Sequence, residues 1–309
     1  MKKGFKPWYS VDMTHTRTGS RYMILSAVML SIVSMLGKLG GESMSLPLLI
    51  FLRFGLGLLL FLPFLYGLGY FKYLFDKPHL MRQLARCSLV LLSQYSLFYY
   101  LMDGTLLNAA VLQSLGPLLI PILDGMIFKQ RIQPVMWVLA GISFVGMLCV
   151  LQPVRGFVGE VGFVGMLIPL GQAGSQVLYG HQAKVEKNEV SLFYLLLLST
   201  VVSGLMYLCF NFVETQPPIS REAPLPLFGI LIALGAATVL NQFFRGIAYK
   251  HGRPSQLAPL LYTTLLFSAL IDWIFFHRIP NMLSIFGSVL VLISGGFSIH
   301  LLRRKTPQI

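Results

Sequence analysis

LPLLIFLRFGLGLLLFLPFLYG, residues 46–67, is an apolar run broken by one charge, Arg53. About 20 apolar residues cover ~30 Å of hydrocarbon at roughly 1.5 Å per residue, so this run reads as a membrane-spanning helix. Outward from it, the chain alternates similar runs with short polar connections. Ten spans are expected, at approximately 22–40, 46–70, 84–102, 106–128, 133–152, 161–183, 190–213, 225–246, 255–276 and 281–302.

The basic residues fall on alternate connections. One side carries Lys2, Lys3, Lys6, Arg17, Arg21, Lys72, Lys77, Arg82, Arg86, Lys129, Arg131, Lys184, Lys187, Arg245, Lys250, Arg253, Arg303, Arg304 and Lys305. The other carries Lys38, Arg155, Arg221 and Arg278, and Arg53 alone lies within a span. This asymmetry is the positive-inside pattern of a polytopic protein. It predicts a multi-pass protein of a bacterial-type inner (plasma) membrane with both termini cytoplasmic.

Charged residues make up 11% and apolar residues 55% of the chain, far from the quarter charged of a soluble domain. The net charge of +13 is dealt out in short clusters between apolar runs, so it predicts a lipid bilayer partner and no nucleic acid. Cys87, Cys149 and Cys209 lie in or beside apolar runs without a CxxC pair, and imply no disulfide framework. The polar first twenty residues predict no removable signal peptide; the first span serves as an uncleaved insertion signal.

Ten spans divide into five and five. An odd number per half inserts the second half upside down. The expected fold is therefore an all-α membrane protein with ten transmembrane helices as two inverted five-helix repeats. The parts are a cytoplasmic tail (1–21), a first repeat (22–152), a second repeat (161–302) and a cytoplasmic tail (303–309). LGPLLIPILDGMIFKQRI (115–132) and LAPLLYTTLLFSALIDWIFFHRIP (257–280) share L-small-P-L-L, an Asp and a closing Arg-Ile, but Pro-to-Asp spacing differs. Inverted repeats are common in secondary transporters, whose sites lie near the midplane where the repeats meet.

Three stretches carry a family resemblance. Residues 46–67 have an Arg early and a Pro near the inner end. NAAVLQSLGPLLIPILDGMIFKQRI (108–132) has small residues and a mid-helix Pro. RGIAYKHGRPSQLAPLLYTTLLFSALIDWIFFHRIP (245–280) places Ala248-Tyr249 and Pro259 to Tyr262. Over about residues 21–302 the chain resembles the drug/metabolite transporter superfamily, in its branch of two tandem EamA-type halves. The resemblance implies ten helices around a central cavity, with Tyr262 among its residues. Gln130 and His277 stand where the family commonly has Glu at the ends of the fourth and ninth helices.

Arg53 lies about seven residues below the outer end of its span. An Arg at a helix centre costs about 2.5–3.5 kcal/mol on the insertion scale, which makes it a functional candidate. It either binds a substrate carboxylate or phosphate, or snorkels to neighbouring carbonyls. Asp124 and Asp272 lie near opposite ends of their spans, within expected reach of water, and are read either as interfacial acids or as a protonatable pair coupling flux to protons. Polar residues recur at helical spacing: Gln172, Gln176 and Tyr179; Gln113, Pro117, Pro121 and Asp124; Thr264, Ser268 and Asp272; Asn241 with Gln242. Such stripes join helices or line a wet cavity. Pro117 and Pro121 free carbonyls and permit bending. Tyr95, Tyr99 and Tyr100 read as an interface belt or an aromatic wall. Gly171/Ser175 and Ser284/Ser288 permit close helix packing or a homodimer contact.

There is no Walker A loop, HExxH or GxSxG, and the six His are scattered. No enzyme, cofactor or metal is expected. The expected function is secondary active transport of a small polar or amphipathic metabolite, amino-acid-like or nucleoside-derived, across the inner membrane by alternating access, as exporter, exchanger or proton-coupled carrier. A channel or a regulatory membrane scaffold is the other reading.

Overall fold

A computed structural model of the chain describes residues 13–41, 44–67, 69, 77–103, 112–128, 134–151, 160–211, 224–276 and 282–304. The described elements are helices: α1 (Met13–Gly41), α2 (Leu46–Gly67), α3 (Lys77–Asp103), α4 (Gly116–Phe128), α5 (Pro134–Leu151), α6 (Glu160–Gln182), α7 (Asn188–Asn211), α8 (Pro224–His251), α9 (Pro254–Leu261), α10 (Thr263–Phe276) and α11 (Met282–Arg304). Among the described residues, five segments are long and apolar enough to cross a membrane: Arg17–Gly41, Pro47–Gly67, Asn188–Cys209, Leu227–His251 and Pro254–Ile271. Leu112–Phe128, Trp137–Cys149 and Ile285–Ser294 are shorter apolar helices.

Three boundaries differ from the sequence expectation. Helix α1 starts at Met13, inside the stretch assigned to the tail. The fourth span is interrupted at Leu115, and the ninth at Tyr262. Both breaks sit beside prolines. Pro117 has no N–H to offer the Gln113 carbonyl, and Pro259 none for that of Ser255, while each ring crowds the carbonyl four residues earlier. The ladders shift accordingly: Leu115 N–H donates to the Leu112 carbonyl at 3.1 Å, and Tyr262 N–H to that of Pro259 at 3.4 Å. The connections around Arg155, Gly156 and Gly159 and across 214–223 lie outside the described residues.

The outside is greasy and the inside is polar. Leu59, Phe64, Leu205, Leu208, Phe286 and Leu292 are exposed, whereas Gln83, Arg86, Asp124, Asn241 and Arg245 are buried. Lipid-facing helices require this arrangement, because polar groups must find partners within the protein. α1 packs on α8, α3 on α6, α2 on α7 and α8, α5 on α11, and α4 on α6 and α9. Val33, Leu36, Leu49 and Leu234 join α1, α2 and α8, while Ile120, Ala173, Val177 and Ala258 join α4, α6 and α9. Gly171 brings α6 onto α3: a Cβ there would lie 2.7 Å from the Leu89 carbonyl oxygen. That close approach matches the packing role expected of the Gly171/Ser175 pair.

Candidate functional site

The two interrupted spans touch at their breaks. The Tyr262 hydroxyl, at the junction of α9 and α10, donates to the Ser114 carbonyl at 2.9 Å, one residue before the Leu115 turn. Gln172 on α6 lies against the same turn, since a Cβ on Gly116 would sit 3.1 Å from Gln172 Oε1. Gln172 Oε1 and Thr264 Oγ1 are both buried without a hydrogen-bond partner. A buried acceptor left empty costs about 1–3 kcal/mol, so a polar ligand or water is the natural complement.

The stripe on α6 continues from this crossing to a second polar centre. Gln176 Oε1 accepts from the Tyr249 hydroxyl at 2.8 Å. The Tyr179 hydroxyl lies 2.8 Å from Asn188 Oδ1 and 2.9 Å from the Gln242 carbonyl, one proton serving two acceptors. Tyr179 and Tyr249 meet edge to face at 5.7 Å, and the Arg86 guanidinium lies 3.3 Å from the Tyr179 ring centre. Arg86 donates to Ser191 Oγ at 2.7 Å and Gln242 Oε1 at 3.5 Å. Arg245 donates from Nε to Ser26 Oγ at 3.2 Å, and Asn241 Nδ2 to the Ser26 carbonyl at 2.6 Å. Arg53 donates to Thr238 Oγ1 at 3.0 Å with its guanidinium 5.3 Å from the Phe54 ring centre.

Of the residues expected from sequence, Gln176, Tyr179, Asn241 and Gln242 share this second centre with Arg53 at its edge. Gln172 and Tyr262 belong to the crossing, and Thr264 follows two residues later on α10, its carbonyl accepting from Ser31 Oγ on α1 at 2.8 Å. Gln113 is half-buried in the turn that leads into it. Pro117 and Pro121 are buried on α4.

Asp124 corrects the sequence expectation. It is fully buried, with Oδ1 3.1 Å from His181 Nε2 and Oδ2 without a partner. Packing of α4 against α6 removes it from the water that its spacing to Lys129 suggested, and His181 stacks on Phe128 at 3.3 Å. Arg253 and Tyr249 also interact electrostatically with Asp124. The Asp272 side chain lies outside the described residues, as do Lys129, Gln130, His277 and Arg278. Tyr99 is exposed while Tyr100 is buried against Leu112 and Ile168, so the three tyrosines form no single wall.

Sequence reading missed Arg86, Arg245, Thr238, Tyr249 and His181. The first two were counted with inner loops. A signal for three of them was present: Thr238, Asn241, Arg245 and Tyr249 follow each other at steps of three or four along α8. Just beyond α6, Lys184 is pulled down to about 7 by burial, with help from the positive charge of Arg253. Its folded value lies below the unfolded one, so this group's contribution to stability rises as pH climbs from about 7 to 10.5.

Buried polar side chains joined through greasy-faced helices, with two helices broken at one crossing, define a multi-pass membrane protein of the transporter class. The profile of the EamA-like transporter family matches residues 17–152 and again 164–298, and the chain belongs to that family. It is 24% identical over 199 residues to the pseudopaline exporter CntI of Pseudomonas aeruginosa, covering 64% of this chain and 67% of that one. It is 23% identical to a riboflavin transporter of Rhizobium johnstonii, covering 92% and 91%. It is 25% identical to an S-adenosylmethionine uptake transporter of Rickettsia prowazekii, covering 91% and 92%. A crystal structure at 19% identity superposes with a TM-score of 0.76 over 94% of this chain and 99% of the other, a likeness of fold alone.

Proposed function

We propose that this protein is a secondary active transporter that moves a small polar or amphipathic metabolite, amino-acid-like or nucleoside-derived, across the inner membrane by alternating access. The observation that carries this reading is the contact of the two broken helices, Tyr262 on Ser114, with the unpartnered Gln172 Oε1 against the same turn. Discontinuous helices in corresponding positions of two halves mark transporter binding sites.

Ten spans in two inverted repeats are part of the proposal. The helix pairings support it. If α1–α5 are exchanged with α6, α7, α8, α9–α10 and α11, then α1 on α8 becomes α6 on α3, and α2 on α7 and α5 on α11 each map onto themselves. Flexing at Pro117 and Pro121 exposes the crossing to alternate sides, and Asp124 takes up and releases the coupling proton. The names of the relatives, for riboflavin and S-adenosylmethionine, fall in the same range of solutes.

The test is counterflow in proteoliposomes with labelled amino acids, nucleosides, riboflavin and S-adenosylmethionine. A transporter gives saturable uptake accelerated by the same unlabelled solute inside. Flux linear in concentration and indifferent to preloading indicates a channel, and contradicts the proposal.

A further inference from the structure

Among the described residues, three guanidinium groups lie near one another, and no carboxylate bonds directly to any of them. Arg86 is 2% and Arg245 5% exposed, and Arg53 on α2 is half-buried. Arg245 is close enough to both Arg53 and Arg86 for their charges to repel. Every described hydrogen-bond partner of the three is neutral: Thr238, Ser191, Gln242 and Ser26. The described ion pairs lie elsewhere, Arg82 with Glu186 and His181 with Asp124. Glu186 is linked to Arg86 through Gln83 and Ser191. Glu189, half-buried at the start of α7, forms no described ion pair with them, although its charge reaches Tyr179, on whose ring Arg86 lies.

Each guanidinium offers five N–H donors, and few are used here. Arg245 Nη2 is buried without a partner. Cations held largely by neutral partners inside a helix bundle are costly, and a structural role alone does not need three. Arg53 and Arg245 are tied to α8 at Thr238 and at Arg245 itself, seven residues or roughly 10 Å apart along the helix axis. Hydroxyls of Tyr179 and Tyr249 and the amides of Gln176 and Asn241 surround the inner end.

We propose that Arg53, Arg86 and Arg245 form an anion-recognition centre, and that the transported solute carries an oxyanion, carboxylate or phosphate, which these side chains neutralise in turn along α8. This rests on the transport reading and narrows its substrate class. Arg86 is held flat on Tyr179 and fixed by Ser191, so it supplies the inner anchor. Arg245, with its free Nη2, supplies the donor that the solute fills. Arg53 receives the anion first from the outer half of the path.

The test uses proteoliposomes of the full chain loaded with a soluble metabolite extract, with released solutes identified by mass spectrometry. Solutes released by the protein, and not by protein-free liposomes, are expected to carry a carboxylate or a phosphate, and the released set tells which. Arg245→Gln and Arg53→Gln are each expected to slow that release by about tenfold or more, as loss of a charge-assisted bond requires, with Arg245→Lys keeping part of it. A released set that is neutral or cationic overturns the proposal. So does undiminished release by both Gln variants. Release of nothing counts against the transport reading itself, and binding then decides the anion centre separately. Millimolar inorganic phosphate or acetate should raise the thermal midpoint of the purified wild-type chain, at matched ionic strength, more than that of Arg245→Gln. Equal responses overturn the anion centre, and Arg245→Lys with a wild-type midpoint controls for folding.

Discussion

Asp124→Asn is expected to reduce uptake driven by an inward proton gradient to the level of protein-free liposomes, while exchange of one solute molecule for another continues. The side chain is wholly buried, so carrying its charge there is expensive unless something compensates. Compensation is partial: His181 Nε2 reaches Oδ1, Oδ2 has no partner, and Arg253 adds a more distant positive charge. In the proposed cycle this carboxyl is the group that carries the coupling proton. Asn keeps the shape and an acceptor for His181 but cannot titrate. The measurement is uptake with and without a pH gradient, beside counterflow at equal pH. Parallel loss of both activities and of thermal stability would reduce Asp124 to a structural link between α4 and α6.

Gly246→Ala is expected to cost more stability than any other small substitution on α8. A Cβ there would overlap Asn188 Oδ1 and the Tyr179 hydroxyl, which together tie α6, α7 and α8. Overpacking costs about 1–3 kcal/mol, and each buried partner pushed off its hydrogen bond about 1–3 kcal/mol more. Gly229 lies on the same helix, and a methyl group added to it would have nothing within 4 Å. Gly229→Ala should therefore be neutral or stabilising by about 0.5–1 kcal/mol, the usual gain within a helix. Thermal midpoints in detergent separate the two variants. Equal midpoints would remove the Tyr179–Asn188 link from the packing argument.

The membrane fold was legible because hydropathy and sorted charge are local properties. The stripe Gln172, Gln176 and Tyr179 was legible for the same reason, since helical spacing alone puts three residues on one face. Helix ends were not. With the eighth span drawn to 246, Arg245 sits at its very end and is counted with the adjoining loop, but α8 runs on to His251 and carries Arg245 inside. Arg86 is hidden in the same way, because α3 begins at Lys77 and buries it nine residues along. Pro117 and Pro121 marked a weak point in the fourth span, yet nothing in the sequence tells that the break there touches another at Tyr262. The partnership of Asp124 with His181 joins residues on different helices and has no signature along the chain.

The central claim, a path past the Tyr262–Ser114 crossing that opens to one side at a time, is tested most directly by two-sided labelling. With Cys87, Cys149 and Cys209 replaced, Gln172→Cys and Thr264→Cys are exposed in turn to a membrane-impermeant thiol reagent outside and inside the vesicles. Alternating access predicts modification of either cysteine from both faces in vesicles that remain tight to the reagent. Modification from one face only, or from neither, under every gradient imposed would contradict it.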